Sequence, residues 1–162
     1  MPHALVLVFG DTVRAAEAFD RHIDPEVPRI VLVDTFKDEA EESLRVAEAL
    51  GDRLWGVRLD TPSERGRVTP ELVKEVRARL DQAGHPGVKI VVSGGMDVER
   101  IGVFKDAEAP VDSFAVGSYI SKAAPIDFTG DLKEIDGKPV AKRGRIPGRT
   151  ENPRLERIDL HG

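Results

Sequence analysis

The chain contains no cysteine, so neither a disulfide framework nor a thiolate metal site is open to it. That suits a reducing cytosol, and the expected location is cytoplasmic. The apolar opening Met1-Pro-His-Ala-Leu-Val-Leu-Val-Phe9 falls far short of the ~20 residues a membrane span needs. It also lacks the basic flank and small-residue cleavage site of a signal peptide. It reads as a buried helix or strand segment, at the start of a piece cut from a longer chain. Excess positive charge is missing too. A net charge of −5 argues against a general nucleic-acid or membrane surface. The four histidines show no metal spacing such as H-E-x-x-H, and His22, His85 and His161 suggest no role.

What is present is ample for one folded core: 162 residues, 40% apolar and 33% charged. Four short apolar runs, each followed by a polar or glycine-bearing turn, organise the chain. They are 29–33 before Asp34-Thr35, 54–57 before Arg58-Leu59-Asp60-Thr61, 88–92 before Ser93-Gly94-Gly95, and 113–116 before Gly117-Ser118. Their starts are 25, 34 and 25 residues apart, which is βα-unit spacing. Runs that are nearly continuous in apolar residues fit parallel strands covered on both faces.

Helices are expected between them. Asp11 caps one to about His22, and a second over 37–50 is stopped by Gly51. Thr69-Pro70 opens a third to about Ala83, burying Leu72, Val73, Val76 and Leu80. Asp97 caps a fourth with Val98, Ile101 and Phe104 inward. The fold class is therefore α/β, with parallel βα units forming part of an irregular α/β barrel; a closed barrel needs ~250 residues. Residues 1–122 form this core. Residues 123–162 carry a hairpin with an Asp136-Gly137 turn, a basic run over 138–149 and a charged tail, packing on a second domain.

In parallel α/β sheets ligands bind at the carboxyl ends of the strands, so the residues there are the candidates. Gly94 and Gly95 free the backbone to offer N–H groups to an anion beside a helix start, with Ser93 just before them. Gly117-Ser118 repeats the arrangement one strand on. A plain tight turn is the competing account of each. Arg58 and Asp60 alternate with Leu59 and so share a side, either as a surface ion pair or as a carboxylate grip beside a ribose or metal contact. Asp34 is a site carboxylate or an ordinary helix cap, and Thr35 serves equally as that cap. His3 beside an apolar run is, on its own, more often structural than catalytic.

Several segments in order carry a resemblance: Met-Pro-His-Ala-Leu (1–5), Leu-Val-Asp-Thr-Phe-Lys-Asp-Glu (32–39), Val-Arg-Leu-Asp-Thr-Pro-Ser (57–63), Ile-Val-Val-Ser-Gly-Gly-Met-Asp (90–97), Phe-Ala-Val-Gly-Ser (114–118) and Gly-Lys-Pro-Val-Ala-Lys-Arg-Gly (137–144). The set resembles the carboxyl-terminal half of nicotinate phosphoribosyltransferases, particularly the archaeal type. The resemblance implies a barrel enzyme of NAD biosynthesis. It joins nicotinate to 5-phosphoribosyl 1-diphosphate, giving nicotinate mononucleotide and diphosphate, with Mg²⁺ and ATP hydrolysis.

The resemblance also implies roles. His3 matches the end of a Gly-Thr-x-x-His motif whose histidine is phosphorylated by ATP. Arg58 would meet the nicotinate carboxylate, and Asp60 the ribose or Mg²⁺. Ser93, Gly94, Gly95, Gly117 and Ser118 would hold the 5′-phosphate, while Asp34 and Asp60 stabilise charge on the ribose ring. The family's first half is not in this sequence, so a complementing amino-terminal chain or a second copy is expected, with little activity from the chain alone. The alternatives are a quinolinate phosphoribosyltransferase, which needs further basic groups for a second carboxylate, and a non-catalytic phosphate-binding half-barrel.

Overall fold

A computed structural model describes residues 1–156 and 158. The chain divides into two compact units, Met1–Ala123 and Ala124–Gly162. In the first, the elements are α1 (His3–Phe9), α2 (Thr12–His22), β1 (Arg29–Leu32), α3 (Glu39–Leu50), β2 (Leu54–Leu59), α4 (Pro70–Gln82), β3 (Lys89–Val92), α5 (Val98–Asp106), β4 (Ser113–Phe114) and α6 (Gly117–Ser121). Among the described residues no helix is long and apolar enough to cross a membrane.

Four helices begin where a short polar side chain satisfies a free backbone N–H. Asp11 accepts from Arg14 at 3.0 Å, Asp38 from Glu41 at 2.8 Å, Thr69 from Leu72 at 3.2 Å and Asp97 from Arg100 at 2.8 Å. Because Asp38 caps α3, neither Asp34 nor Thr35 is spent on that task.

All neighbouring strands are parallel, in the order β1-β2-β3-β4. An order that follows the chain without reversal is that of a barrel wall, whereas a doubly wound sheet reverses at a switch point. Residues alternate between the two faces of each strand. Val31, Val57, Leu59, Ile90 and Val92 join Val46, Ala47 and Leu50 of α3 and Val73, Val76 and Leu80 of α4 in the main core. Leu32, Arg58 and Val91, in register with one another, therefore belong to the face turned away from those helices. Gly56 has no room for a side chain, since a Cβ there would lie 2.6 Å from the Lys89 carbonyl oxygen on β3.

Some expectations need correction. The opening segment is a helix, but it buries only Val6, with Leu7 60% and Val8 82% exposed. Val98 is not inward: it is exposed, while Phe104 is buried and stacks edge-on against Phe114 of β4. The last strand covers 113–114 rather than 113–116. The chain turns into α6 there, and the regular ladder stops.

Asp11 also receives Arg45 of α3 at 2.7 Å. That guanidinium, followed by the Arg14 N–H, holds the Asp11 carboxyl below its ordinary range. A depressed folded pKa stabilises the protein above the unfolded carboxylate value and loses that contribution as pH falls through the folded one. Asp11→Ala is expected to cost about 1–2 kcal/mol near neutrality, mostly from the cap, because exposed ion pairs add little. Asp11→Asn keeps the cap, so it should cost less and flatten the acid limb in urea unfolding at pH 7 and pH 3.

The second unit holds an antiparallel pair, β5 (Glu134–Ile135) and β6 (Lys138–Pro139). Asp136 (φ 49°) and Gly137 (φ 75°) give its turn the two left-handed residues of the tight hairpin type. Two members of the basic run are paired inside this unit, Arg145 with Asp131 and Arg149 with Glu134, both at 3.3 Å. Of the expected tail, Arg157 and residues 159–162, His161 among them, lie outside the described residues.

Candidate active site

The carboxyl ends of the strands are held in register beyond the regular ladder. Val33 N–H donates to Arg58, Ser93 to Leu59 and Ala115 to Val92, at 3.3, 2.8 and 2.9 Å. The loops that follow therefore leave the sheet side by side.

At the end of β1, His3 Nε2 lies 3.0 Å from each oxygen of Asp34. A small apolar cluster brings them together. Val6 of α1 packs with Leu32 of β1 and Ala15 of α2. His3 stands three residues before Val6 on the helix, and Asp34 two residues beyond Leu32, just past the end of β1 where Val33 N–H still pairs with Arg58, so each shares a side with its packed neighbour. The Asp34 side chain is 3% exposed and that of His3 39%. A buried carboxylate thus backs an imidazole that reaches solvent. With the proton on Nε2 and directed at Asp34, Nδ1 carries the free lone pair.

At the end of β2, Arg58 Nη2 reaches Asp60 Oδ2 at 3.5 Å, the outer limit of a hydrogen bond. Arg58 Nε is buried without a partner among the described residues. The guanidinium is consequently not spent on Asp60 and keeps donors for a ligand. Thr35 Oγ1, beyond β1, is likewise buried and unpartnered.

At the end of β3, Gly94 (φ 87°) and Gly95 (φ 67°) are both left-handed, a conformation costly to any residue with a Cβ. A Cβ on Gly94 would come within 3.1 Å of Asp60 Oδ1, so this loop and the β2 carboxylate touch. Neither glycine N–H meets an acceptor among the described residues. Asp60, Gly94 and Gly95 share a cavity of about 350 Å³ with Thr61, Ser63, Glu64 and Arg67. The Ser93 hydroxyl turns back to the Leu59 carbonyl at 3.1 Å, and the residue is buried. Gly117 and Ser118 are exposed in the five-residue α6, and Gly117 is not left-handed.

The structure thus joins His3 to Asp34 and Asp60 to Arg58 and Gly94. Sequence reading left Glu39, Arg65 and Arg67 unassigned. Glu39, 2% exposed, accepts from the Thr61 hydroxyl at 2.6 Å and from Arg65 at 3.3 Å, tying the loop after β2 to the first turn of α3. Nothing in their spacing announced that contact. Among the described residues no three His, Cys, Asp or Glu side chains gather as metal ligands.

Comparison with known proteins identifies the family of the fold. Residues 1–131 match the family described as "Quinolinate phosphoribosyl transferase, C-terminal domain". A nicotinate phosphoribosyltransferase of Mycobacterium tuberculosis is 34% identical over 93% of this chain and 33% of its own length. One from Bacillus subtilis is 30% identical over 85% of this chain and 29% of its own length. The chain therefore spans about a third of the length of these curated relatives. The crystal structure of a nicotinate-nucleotide pyrophosphorylase from Pyrococcus furiosus superposes with a TM-score of 0.73 at 51% identity, over 92% of this chain and 38% of that one. With 131 of 162 residues matched, the chain belongs to the quinolinate phosphoribosyl transferase C-terminal domain family.

Proposed function

We infer that this chain carries the transfer site of a cytoplasmic phosphoribosyltransferase of NAD biosynthesis, acting on nicotinate. One observation carries the reading above all: an arginine with spare donors, a carboxylate and a loop of open amides converge at adjacent ends of parallel strands. The ring nitrogen of nicotinate attacks C1 of 5-phosphoribosyl 1-diphosphate, the C1–oxygen bond breaks, and diphosphate leaves. Arg58 takes the nicotinate carboxylate through charge-assisted hydrogen bonds. Asp60 faces the ribose and stabilises positive charge as it grows on the ring. The open amides of Gly94 and Gly95 take the 5′-phosphate, with Ser93 shaping the turn and Gly117 and Ser118 on the neighbouring loop.

Mg²⁺ requires few protein ligands when a diphosphate supplies oxygens, and Asp60 is the carboxylate suited to share it. Once bound it makes the diphosphate a better leaving group. His3 is the phosphoryl acceptor from ATP. Its Nδ1 attacks the γ-phosphorus, the bond to the bridging oxygen breaks and ADP departs, while Asp34 holds the Nε2 proton and steadies the charged ring.

Nicotinate mononucleotide binding, followed by calorimetry, tests the reading. Gly94→Ala is expected to weaken it at least tenfold by spoiling the approach of the phosphate. The left-handed backbone should add about 1–2 kcal/mol of destabilisation. Folded protein that does not bind the nucleotide overturns the assignment. The family's printed name makes quinolinate the rival substrate, and quinolinate binding tighter than nicotinate would favour it.

A further inference from the structure

We propose that Arg67 is the side-chain anion contact of the Gly94–Gly95 pocket, and that position 95 is glycine so that this guanidinium can lie on the loop. The proposal rests on reading that loop as a phosphate site, and it adds a residue which no strand end or sequence pattern marks.

Three independent features of unit 1 single it out. First, a Cβ on Gly95 would fall 2.9 Å from Arg67 Nη1, so any side chain there would displace the guanidinium. Second, Arg67 has φ 66°, a conformation costly to a long side chain. Such strain persists only where the surroundings over-determine it, and it collects at functional sites. The surroundings here do so. The loop is anchored at its start by Thr61 on Glu39 and at its end by Arg100 Nη2 on the Val68 carbonyl at 3.0 Å. Within it the Arg67 N–H donates to the Pro62 carbonyl at 3.1 Å. Third, Arg67 forms no ion pair among the described residues, whereas Arg65 nearby is held on the buried Glu39.

Electrostatics requires such a group. The cavity presents the carboxylates of Asp60 and Glu64 alongside the glycine amides. The Glu64 carboxyl is held below its ordinary range by its own N–H and then by the Ser63 hydroxyl. Two amides opposed by two carboxylates make a poor seat for a phosphate. A guanidinium beside them offsets that charge and offers its planar fork to phosphate oxygens.

The test is an NMR titration of the protein with inorganic phosphate, following the Gly94 and Gly95 amide resonances and the melting temperature. In the wild type both amides should shift saturably. Arg67→Gly suits the left-handed backbone, so it should melt no lower than wild type yet bind phosphate about tenfold to hundredfold more weakly. Arg67→Lys keeps the charge without the fork and should fall between. Lys74→Gln, which removes an exposed charge from α4, should bind as wild type does. If both Arg67 variants bind like wild type, or no worse than Lys74→Gln, the proposal is overturned while the glycine-loop reading stands. If the wild-type amides do not respond to phosphate, the glycine-loop reading itself fails and takes this proposal with it.

Discussion

In the full-length enzyme, His3→Ala is expected to take up no phosphoryl group from ATP, where the unaltered protein acquires acid-labile, base-stable label at that residue. The reason lies in the pairing at the end of β1. Asp34 meets the imidazole with both oxygens at 3.0 Å and is almost wholly buried. It fixes which nitrogen holds the proton and stabilises the ring once a phosphoryl group and positive charge sit on it. An isolated histidine has neither advantage. Asp34→Asn should keep much of the packing but lose the charge and the tautomer preference, slowing labelling about 10²- to 10⁴-fold. Coupled turnover should vanish in His3→Ala, leaving slow uncoupled transfer. Acid-labile, base-stable label that persists in His3→Ala, followed through digestion at alkaline pH, ends the assignment.

Arg58→Leu is expected to abolish the distinction between nicotinate and nicotinamide. A carboxylate facing a guanidinium gains a charge-assisted interaction of about 1.5–3 kcal/mol, or roughly tenfold to hundredfold in affinity. The neutral amide gains little of this. Arg58 can supply the interaction because Asp60 engages it only at 3.5 Å and its Nε has no partner. The variant should lose the acid form of the mononucleotide and retain the amide form and inorganic phosphate. Equal losses for both mononucleotides, measured by calorimetry, would show that Arg58 does not read the pyridine substituent. Leucine leaves no unpaired polar group at 58, so a general loss of fold is not expected to mimic the result.

Much of this was legible along the chain, because local chemistry acts over a few residues. Asp11, Thr69 and Asp97 cap the helices assigned to them, and β2 begins at Leu54 as its apolar run predicts. Left-handed glycines at 94 and 95 follow from a sharp turn between strand and helix. Strand ends were less legible. Ser113-Phe114 stops early because pairing with β3, rather than the apolar run to Val116, decides where a ladder lasts. Val98 failed for a related reason. Helical periodicity gives the spacing of a buried stripe, but its phase depends on what the helix packs against.

The sequence by itself determined the βα alternation, the helix caps, the parallel strands and the residue types at their carboxyl ends. Composition and periodicity are local properties, and they fix these. Only the tertiary structure decided which of those ends meet. His3 reaches Asp34 across thirty-one positions of chain because Val6 packs on Leu32. Asp60 touches Gly94, and Arg67 rests on Gly95, because β2 and β3 are held in register and their loops are clamped by Glu39 and Arg100. A cavity exists only where distant segments are brought together by burial of their apolar sides. The tie of Glu39 to Thr61 and the lie of Arg67 on a glycine leave no trace in spacing, since neither partner constrains its own neighbours in sequence.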